Sequence, residues 1–369
     1  MFLWALGKEF GEQRLADTIA MHLDKWGAVT GSPIKTPYSR VYRIQASPNS
    51  YPRQLFAKAP WFDPDTPHQK VSRRLERFVR EAENTVRVAL HPFVHRFGEV
   101  CFIHEVPFLI SAGRDETLED LINPKSLSVV DAFVIGIQIA RGIGYCQHKG
   151  LIAHQDLKPA NILVDRLERK FGPDFPIKYH ARVADFELSN AYVELGTAAG
   201  ARPYMSPEQH EIQHSPDQPL RDFSRSDVFS FGVLLHEMLT DGLHPVGEVT
   251  RDIWPNPIVG KNKWRHPEPW RKWVEAGAPI RRKLDTVPPE IYEILEDCLC
   301  VDSRTRSAMS SIEELLWNYL LLAAPDVARA LQVMIEQWEE ACLTSDPSVH
   351  WNHGERMLAM VRNYYATAR

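Results

Sequence analysis

The chain has 369 residues, of which 44% are hydrophobic and 25% charged, so it has enough apolar material for one or two globular domains. Its formal net charge of -5, from 43 basic and 48 acidic residues, argues against a general surface for nucleic acid or for an anionic membrane. The close pair Cys298 and Cys300 fits neither a zinc knuckle nor a CxxC redox motif, and we expect thiols in a reducing cytoplasm. MFLWAL is too short for a signal peptide, and we expect no apolar run of membrane-spanning length.

The first third of the chain predicts a helix followed by strands. Residues 7–25 carry apolar side chains at helical spacing, and turn signals follow from Gly27 to Pro33. The runs SRVYRIQ and QLFAKA, within residues 36–60, predict a β-hairpin. Residues 70–90 predict a second amphipathic helix, and HPFV and CFIHEVPFLIS then return to strand character.

The rest of the chain predicts mainly helix. VVDAFVIGIQIARGIGYCQHKG, from 129 to 150, is one long apolar helix, and most of the sequence after residue 208 has helical spacing. The Trp-rich part of residues 249–289 predicts local packing rather than a nucleic-acid platform. Residues 324–345 and 349–366 predict two terminal helices. A small β-rich part therefore precedes a larger helical part, which is an α+β organisation.

Two polar segments carry the residue types that phosphoryl transfer requires. HQDLKPAN, at 154–161, contains Asp156, Lys158 and Asn161, and VADFELSN contains Asp185 after an apolar approach. A carboxylate that accepts a hydroxyl proton, a carboxylate and an amide that bind Mg²⁺, and a lysine beside the transferred group make up such a site. The segments therefore predict a nucleotide-dependent phosphotransferase.

An earlier lysine completes this set. Lys58 lies in the strand-like run LFAKA, and the next helix offers Glu81 or Glu83 as its partner. A buried ammonium near phosphates needs a carboxylate partner that fixes its position and reduces the cost of burial.

The order of these motifs resembles that of the eukaryotic-like serine/threonine protein kinase family. FAKA, RFVREAENTV, HQDLKPANILV, ADFE, YMSPEQ, SDVFSFGVLLHEML and DSRTRSAM match its motifs in sequence, over about residues 30–322. The resemblance implies the bilobal α+β kinase fold, with a β-rich N-lobe and a helical C-lobe. The implied domains are an N-terminal extension at 1–30, lobes at 31–111 and 112–322, and a C-terminal extension at 323–369.

The resemblance also implies a role for each polar residue. Asp156 would orient or deprotonate the acceptor hydroxyl, and Lys158 would neutralise the γ-phosphate of ATP. Asn161 and Asp185 would bind Mg²⁺, and Lys58 would hold the α and β phosphates. Its implied clamp is Glu81, which we prefer to Glu83 because RFxREA matches the family's helix.

Further residues are assigned structural roles by the same resemblance. His154 would pack behind Asp185, and Asp227 would orient the loop that carries Asp156. Arg306 would form a buried ion pair with Glu208 that anchors the end of the activation segment.

The chain also departs from the family at several positions. The three glycines of the phosphate-covering loop fall at Ile34, Thr36 and Ser39, so we expect a lid over ATP that is stiffer, further away or differently built. Glu187 replaces the glycine after Asp185 and Phe186, and Gln155 replaces an arginine that would read a loop phosphate. Ala201 stands where the family has a threonine that fixes Asp156 and Lys158, although Thr197 is an alternative for that role.

These features lead to one leading hypothesis and two alternatives. The leading hypothesis is a cytoplasmic kinase that uses ATP and Mg²⁺ to phosphorylate Ser or Thr of a protein substrate, itself included. The missing glycines, Glu187 and Ala201 keep a scaffolding pseudokinase open. A small-molecule kinase of the aminoglycoside phosphotransferase type is the third hypothesis. The terminal helices are expected to cap the lobes or to mediate partner contact or self-association.

Overall fold

The computed structural model describes residues 3–36, 38–49, 52–122, 127–189, 200–212, 223–250, 268–285 and 287–344, with 359 and 363. The chain divides into two compact units. The first is β-rich and comprises residues 1–89, 96–114 and 343–369, and the second is mainly helical and comprises residues 90–95 and 115–342.

Among the residues described up to 114, the β-rich unit contains a five-stranded antiparallel sheet and three helices. Its elements are α1 (Leu3–Phe10), α2 (Glu12–Leu23), β1 (Ala28–Lys35), β2 (Ser39–Gln45), β3 (Gln54–Pro60), α3 (His68–Arg87), β4 (Phe97–Ile103) and β5 (Val106–Ala112). The strand order is β1-β2-β3-β5-β4. The predicted hairpin is confirmed as β2 and β3, and the predicted helix at 70–90 as α3.

Two local predictions for the start of the chain were wrong. The single helix expected at 7–25 is broken at Gly11, whose φ of 88° lies outside the helical range. The turn signals after it belong to the edge strand β1, which tolerates a proline because one of its sides has no neighbouring strand. Gly31 has a positive φ of 66°, and the register with β2 shifts between Thr30 and Ile34. The bend that these residues encode is therefore an irregularity within a strand.

The two faces of this sheet carry separate cores, and the N-terminal part of α3 also reaches the first of them through Leu75. On one face Tyr42, Ile44 and Ala57 share a buried core with Leu3 of α1 and Ile19 of α2. Because side chains alternate along a strand, Lys58 lies on the opposite face, where its cross-strand partners are Val41 and Leu109. Leu109 packs there with Phe78 and Ala82 of α3. Helix α3 therefore covers the face that carries Lys58.

The helical unit contains a small three-stranded sheet and nine helices among the residues described. Its elements are β6 (Glu116–Thr117), α4 (Leu118–Ile122), α5 (Val129–His148), β7 (Ile162–Arg166), α6 (Glu168–Phe171), β8 (Tyr179–Val183), α7 (Pro207–Ile212), α8 (Ser226–Leu239), α9 (Glu268–Glu275), α10 (Pro289–Cys298), α11 (Met309–Ala323) and α12 (Pro325–Thr344). The sheet order is β6-β7-β8.

Helix α5 is the central helix of this unit, and its length corrects one expectation. Ser128 caps its N-terminus in a capping box with Asp131, and residues 132–140 are all buried. By length and composition α5 is apolar enough to cross a membrane, contrary to our expectation that no run reaches that length. Its burial inside the helical unit accounts for this composition.

The predicted helix at 324–345 is confirmed as α12, which packs on the helical unit through a polar network. The Arg141 guanidinium donates to Glu339 of α12 at 2.6 and 3.0 Å and to Glu313 of α11 at 2.9 Å. His91 Nε2 lies 3.3 Å from Glu339 Oε1, and burial lowers the pKa of His91 to about 4. The Trp338 ring lies 4.2 Å from that of His180. Helix α12 thus caps the unit. Residues 251–267 of the Trp-rich segment, and all of the helix predicted at 349–366 except residues 359 and 363, lie outside the described residues.

Candidate active site

The polar loop at residues 154–161 is held from beneath by a buried carboxylate. Asp227, in the first turn of α8, accepts hydrogen bonds from the backbone N–H groups of His154 at 2.7 Å and Gln155 at 3.0 Å. Burial raises the pKa of Asp227, and the two N–H donors act in the opposite direction by stabilising its charge. The predicted orientation of the loop by Asp227 is confirmed.

His154 links the polar loop to the segment that carries Asp185. Its Nε2 donates to the carbonyl of Ala184 at 3.1 Å, and its ring packs edge-on against Phe186 with centroids 5.1 Å apart. His154 therefore contacts the residues on both sides of Asp185, as the family resemblance implied.

Asp156 accepts hydrogen bonds from several groups in and around the polar loop. Its Oδ2 accepts from Lys158 Nζ at 2.6 Å and from Asn161 Nδ2 at 3.1 Å, and Asn161 Nδ2 also donates to the Asp156 carbonyl at 2.8 Å. Its Oδ1 accepts from the backbone N–H of Ala201 at 2.8 Å. The carboxylate is only 8% exposed, so these donors fix its orientation.

The contact from Ala201 was not foreseen. A side chain was expected to fix Asp156, and the backbone amide of Ala201 does so instead, while Thr197 lies outside the described residues. Gly200 makes this approach feasible, because it has a φ of 145° and a Cβ there would lie 2.4 Å from the carbonyl oxygen of Gln155. The only sequence signal for this arrangement is the glycine before Ala201.

Asn161 and Asp185 are brought together by two paired strands. Asn161 directly precedes β7 and Asp185 follows β8, and these strands pair antiparallel with Ile162 opposite Val183. The N–H of Ala184 donates to the Asn161 carbonyl at 2.9 Å. Asp185 adopts a left-handed conformation, with φ 68° and ψ 74°. The topology therefore delivers both side chains to the same end of the small sheet.

The chemistry of these two residues fits a divalent metal. Asn161 uses its Nδ2 for both bonds to Asp156, and neither bond engages its carbonyl oxygen Oδ1. Amide and carboxylate oxygens are the ligands that Mg²⁺ takes in nucleotide-dependent sites. Asn161 Oδ1 and the Asp185 carboxylate would hold such an ion.

In the β-rich unit, Lys58 of β3 pairs with Glu81 of α3. Lys58 Nζ lies 2.6 Å from Glu81 Oε1, and Glu81 is buried. Of the two glutamates that the sequence offered, Glu81 therefore contacts Lys58. The pair fixes the ammonium on the face of the sheet opposite α1 and α2.

The turn between β1 and β2 is closed by side chains where the family has glycines. The Thr36 hydroxyl accepts from the N–H groups of Ser39 at 2.9 Å and Tyr38 at 3.3 Å, and it lies 2.8 Å from the Ser39 hydroxyl. The Thr36 N–H donates to the Ser39 carbonyl at 3.0 Å. Several backbone groups of this turn are thus used internally, and the turn is built on side-chain hydrogen bonds to Thr36 rather than on glycines.

The predicted ion pair at the end of the activation segment is confirmed. Arg306 donates to both oxygens of Glu208, at 2.7 and 3.2 Å, and these side chains are 0% and 3% exposed. Arg306 also donates to the carbonyls of Arg225 at 2.7 Å and Cys300 at 2.8 and 2.9 Å. All the hydrogen-bonding capacity of the pair is directed inward, so its role is structural.

These features define a protein kinase fold, and the comparison with family models agrees. The model of the protein kinase domain matches residues 65–318. The chain therefore belongs to the protein kinase domain family.

Individual relatives are more distant. The serine/threonine protein kinase OSK3 of Oryza sativa is 25% identical over 279 residues, which are 71% of this chain and 46% of that protein. The serine/threonine-protein kinase pkn2 of Myxococcus xanthus is 32% identical over 188 residues, 48% of this chain and 20% of that protein. A probable serine/threonine-protein kinase of Clostridium perfringens is 33% identical over 195 residues, 51% and 26% of the two chains. The aligned region is thus less than half of each of these relatives.

Proposed function

We propose that the chain is an ATP-dependent protein kinase that transfers the γ-phosphoryl group to Ser or Thr hydroxyls. The observation that carries this proposal is the Asp156 carboxylate, which is held on both oxygens by Lys158, Asn161 and the Ala201 amide. A carboxylate fixed in this way can accept a hydroxyl proton without reorganising.

Each residue of the polar loop has a distinct task in this proposal. Asp156 orients the acceptor hydroxyl and takes its proton as the bond to phosphorus forms. Lys158, bonded to the same carboxylate, places a positive charge beside the transferred group. Asn161 and Asp185 would hold Mg²⁺, which when bound neutralises charge on the β and γ phosphates.

Lys58 is proposed to hold the α and β phosphates of ATP, with Glu81 keeping its ammonium in place. The preference for Ser and Thr rests on Lys158, which follows Asp156 by two residues as in the serine/threonine members of the family, and on the names of the relatives. A protein acceptor is favoured because the Glu208–Arg306 ion pair anchors the end of an activation segment, which in this family serves to dock a polypeptide.

The test is transfer of labelled γ-phosphate from ATP with Mg²⁺ to casein and to the chain itself. Asp156→Asn should reduce labelling by at least about a hundredfold, within the range ascribed to general acid–base catalysis. The exposed Asp174→Asn, which removes a charge elsewhere on the helical unit, should label like the wild type. Equal labelling by wild type and Asp156→Asn would refute the assignment.

A second candidate is a pseudokinase that binds nucleotide or a partner without turnover. The observation that favours it is the β1–β2 turn, in which Thr36 uses backbone N–H groups that a glycine-rich loop would offer to phosphates. Thermal unfolding with ATP, with and without Mg²⁺, separates the two. Stabilisation without labelling of any substrate would support the pseudokinase, and labelling that requires Asp156 would exclude it.

A further inference from the structure

The β-rich unit contains a cavity on the face of the sheet that does not carry Lys58. It has a volume of about 470 Å³ and lies between α1 and α2 on one side and the β2 strand with residues 61–65 on the other. Trp4 and Leu15 come from the helices, and Arg40, Tyr42 and Trp61 come from the sheet side. The volume is in the range of small-molecule sites, which run from about 300 to 1,000 Å³.

Arg40 is fixed in the wall of this cavity. Its guanidinium lies 4.0 Å from the centre of the Trp61 ring, and its Nη1 donates to the carbonyls of Thr36 at 2.7 Å and Ser39 at 3.0 Å. Within the described part of the chain no carboxylate lies within ion-pair distance of it. Lys8, in contrast, is paired with Asp65. The contacts given for Arg40 use only Nη1, so its Nε and Nη2 groups remain as donors for an oxyanion in the cavity.

Two aromatic side chains of the lining differ in what they offer a ligand. Trp4 is 4% exposed, and its indole N–H is closed to solvent and has no acceptor among the residues that the structure describes. Trp4 therefore contributes apolar ring surface to the cavity rather than a donor. Tyr42 also lines the cavity, and burial raises its pKa to about 12, so its hydroxyl stays protonated at neutral pH.

The charges of the lining define the class of ligand. The positive charges of Lys8, Lys35 and Arg40 are balanced by the negative charges of Glu12 and of the aspartates at 63 and 65. These carboxylates would repel a polyphosphate. A planar aromatic ligand with one negative charge is complementary to a cavity that holds one fixed guanidinium among Trp and Tyr rings. We propose that this cavity binds a small aryl carboxylate, with the carboxylate on Arg40 and the ring against the aromatic lining.

The proposed site also contacts the β1–β2 turn. Arg40 holds the carbonyl of Thr36, and its strand neighbour Val41 pairs with Lys58. Arg40 and Lys58 thus belong to adjacent strands and lie on opposite faces of the sheet.

The test is calorimetric titration of the full chain with three probes: 2-naphthoate, the neutral 2-naphthamide and acetate. We expect 2-naphthoate to bind one site, with at least about tenfold higher affinity than 2-naphthamide or acetate, because a charge-assisted hydrogen bond contributes that much. Binding should be unchanged in saturating ADP and in Lys58→Met, since the cavity is on the opposite face of the sheet from Lys58.

Variants at Arg40 decide whether the site is the proposed one. Arg40→Met should lower the affinity for 2-naphthoate by at least about tenfold and leave the affinity for 2-naphthamide within about twofold of wild type. Arg40→Lys keeps the positive charge but lacks the planar guanidinium. Its affinity for 2-naphthoate should lie between those of wild type and Arg40→Met. Arg14→Met, which removes an exposed arginine of α2 outside the lining, is the matched control and should bind like wild type.

A cooperative thermal unfolding transition establishes that each variant is folded. If Arg40→Met is not folded, the affinity of Arg40→Lys for 2-naphthoate decides between the outcomes. Three results would overturn the proposal. These are no saturable binding of 2-naphthoate at millimolar concentration, wild-type affinity in a folded Arg40 variant, or displacement of 2-naphthoate by ADP.

Discussion

Replacing Arg306 by methionine should strongly destabilise the helical unit. The change removes both bonds to Glu208 and the donors to the Arg225 and Cys300 carbonyls. Breaking a buried ion pair from one side typically costs about 3 to 5 kcal/mol, because the remaining charge is stranded away from water. Glu208 is 3% exposed, so we expect a loss of about 4 kcal/mol, a large part of the roughly 5 to 15 kcal/mol that stabilises a typical domain.

The assay is urea unfolding followed by far-UV circular dichroism, with Glu208→Gln and the double variant completing a mutant cycle. The double variant should lose less free energy of unfolding than the two single variants lose together, because it leaves no buried carboxylate without a partner. Arg304→Met is the matched control. Arg304 pairs with Asp302 two residues away, but its side chain is 84% exposed, and its loss should cost less than about 1 kcal/mol. The reasoning fails if Arg306→Met stays within about 1 kcal/mol of wild type, or if the losses simply add.

Burial lowers the pKa of His236 to about 4 and that of His244 to about 3. Both are below the unfolded value near 6.5, so the free energy of unfolding should fall as pH drops from 6.5 towards 4. Burial raises the pKa of Glu237 to about 7, which gives a smaller opposite trend between about pH 4.5 and 7. Urea midpoints across this range test the balance, and a midpoint that rises on acidification would contradict it. Gly232→Ala places a Cβ 2.6 Å from a Cβ of α10 and should lower the free energy of unfolding by about 1 to 3 kcal/mol. Gly144→Ala, in open space on α5, should raise the free energy of unfolding by up to about 1 kcal/mol. Equal effects of the two alanines in thermal unfolding would refute the packing argument.

The sequence predicted those parts of the site in which side chains contact side chains. Lys58 with Glu81, and Arg306 with Glu208, are pairs of complementary charges whose positions in the family's motifs are visible without coordinates. The hairpin and the long helices were predictable because apolar periodicity reports which face is buried.

The features that were missed depend on backbone geometry or on packing between distant segments. The amide of Ala201 contacts Asp156, and every residue except proline has such an amide, so the sequence does not mark it. Strand β1 was missed because Gly31 and Pro33 are typical turn residues, and only the pairing with β2 makes an irregular strand stable there. The stacking of Arg40 on Trp61 joins residues whose proximity follows from the pairing of β2 with β3, in which Ser39 faces Pro60.

The network around Arg141 determines how far the chain can be shortened. The family match ends at residue 318, inside α11, whereas the carboxylate that engages both Arg141 and His91 is Glu339 of α12. A fragment cut at the family boundary would remove that counter-charge and uncover the ring of His180 that Trp338 covers. A shortened chain that keeps these contacts must therefore extend past Glu339, and the family boundary alone would place its end too early.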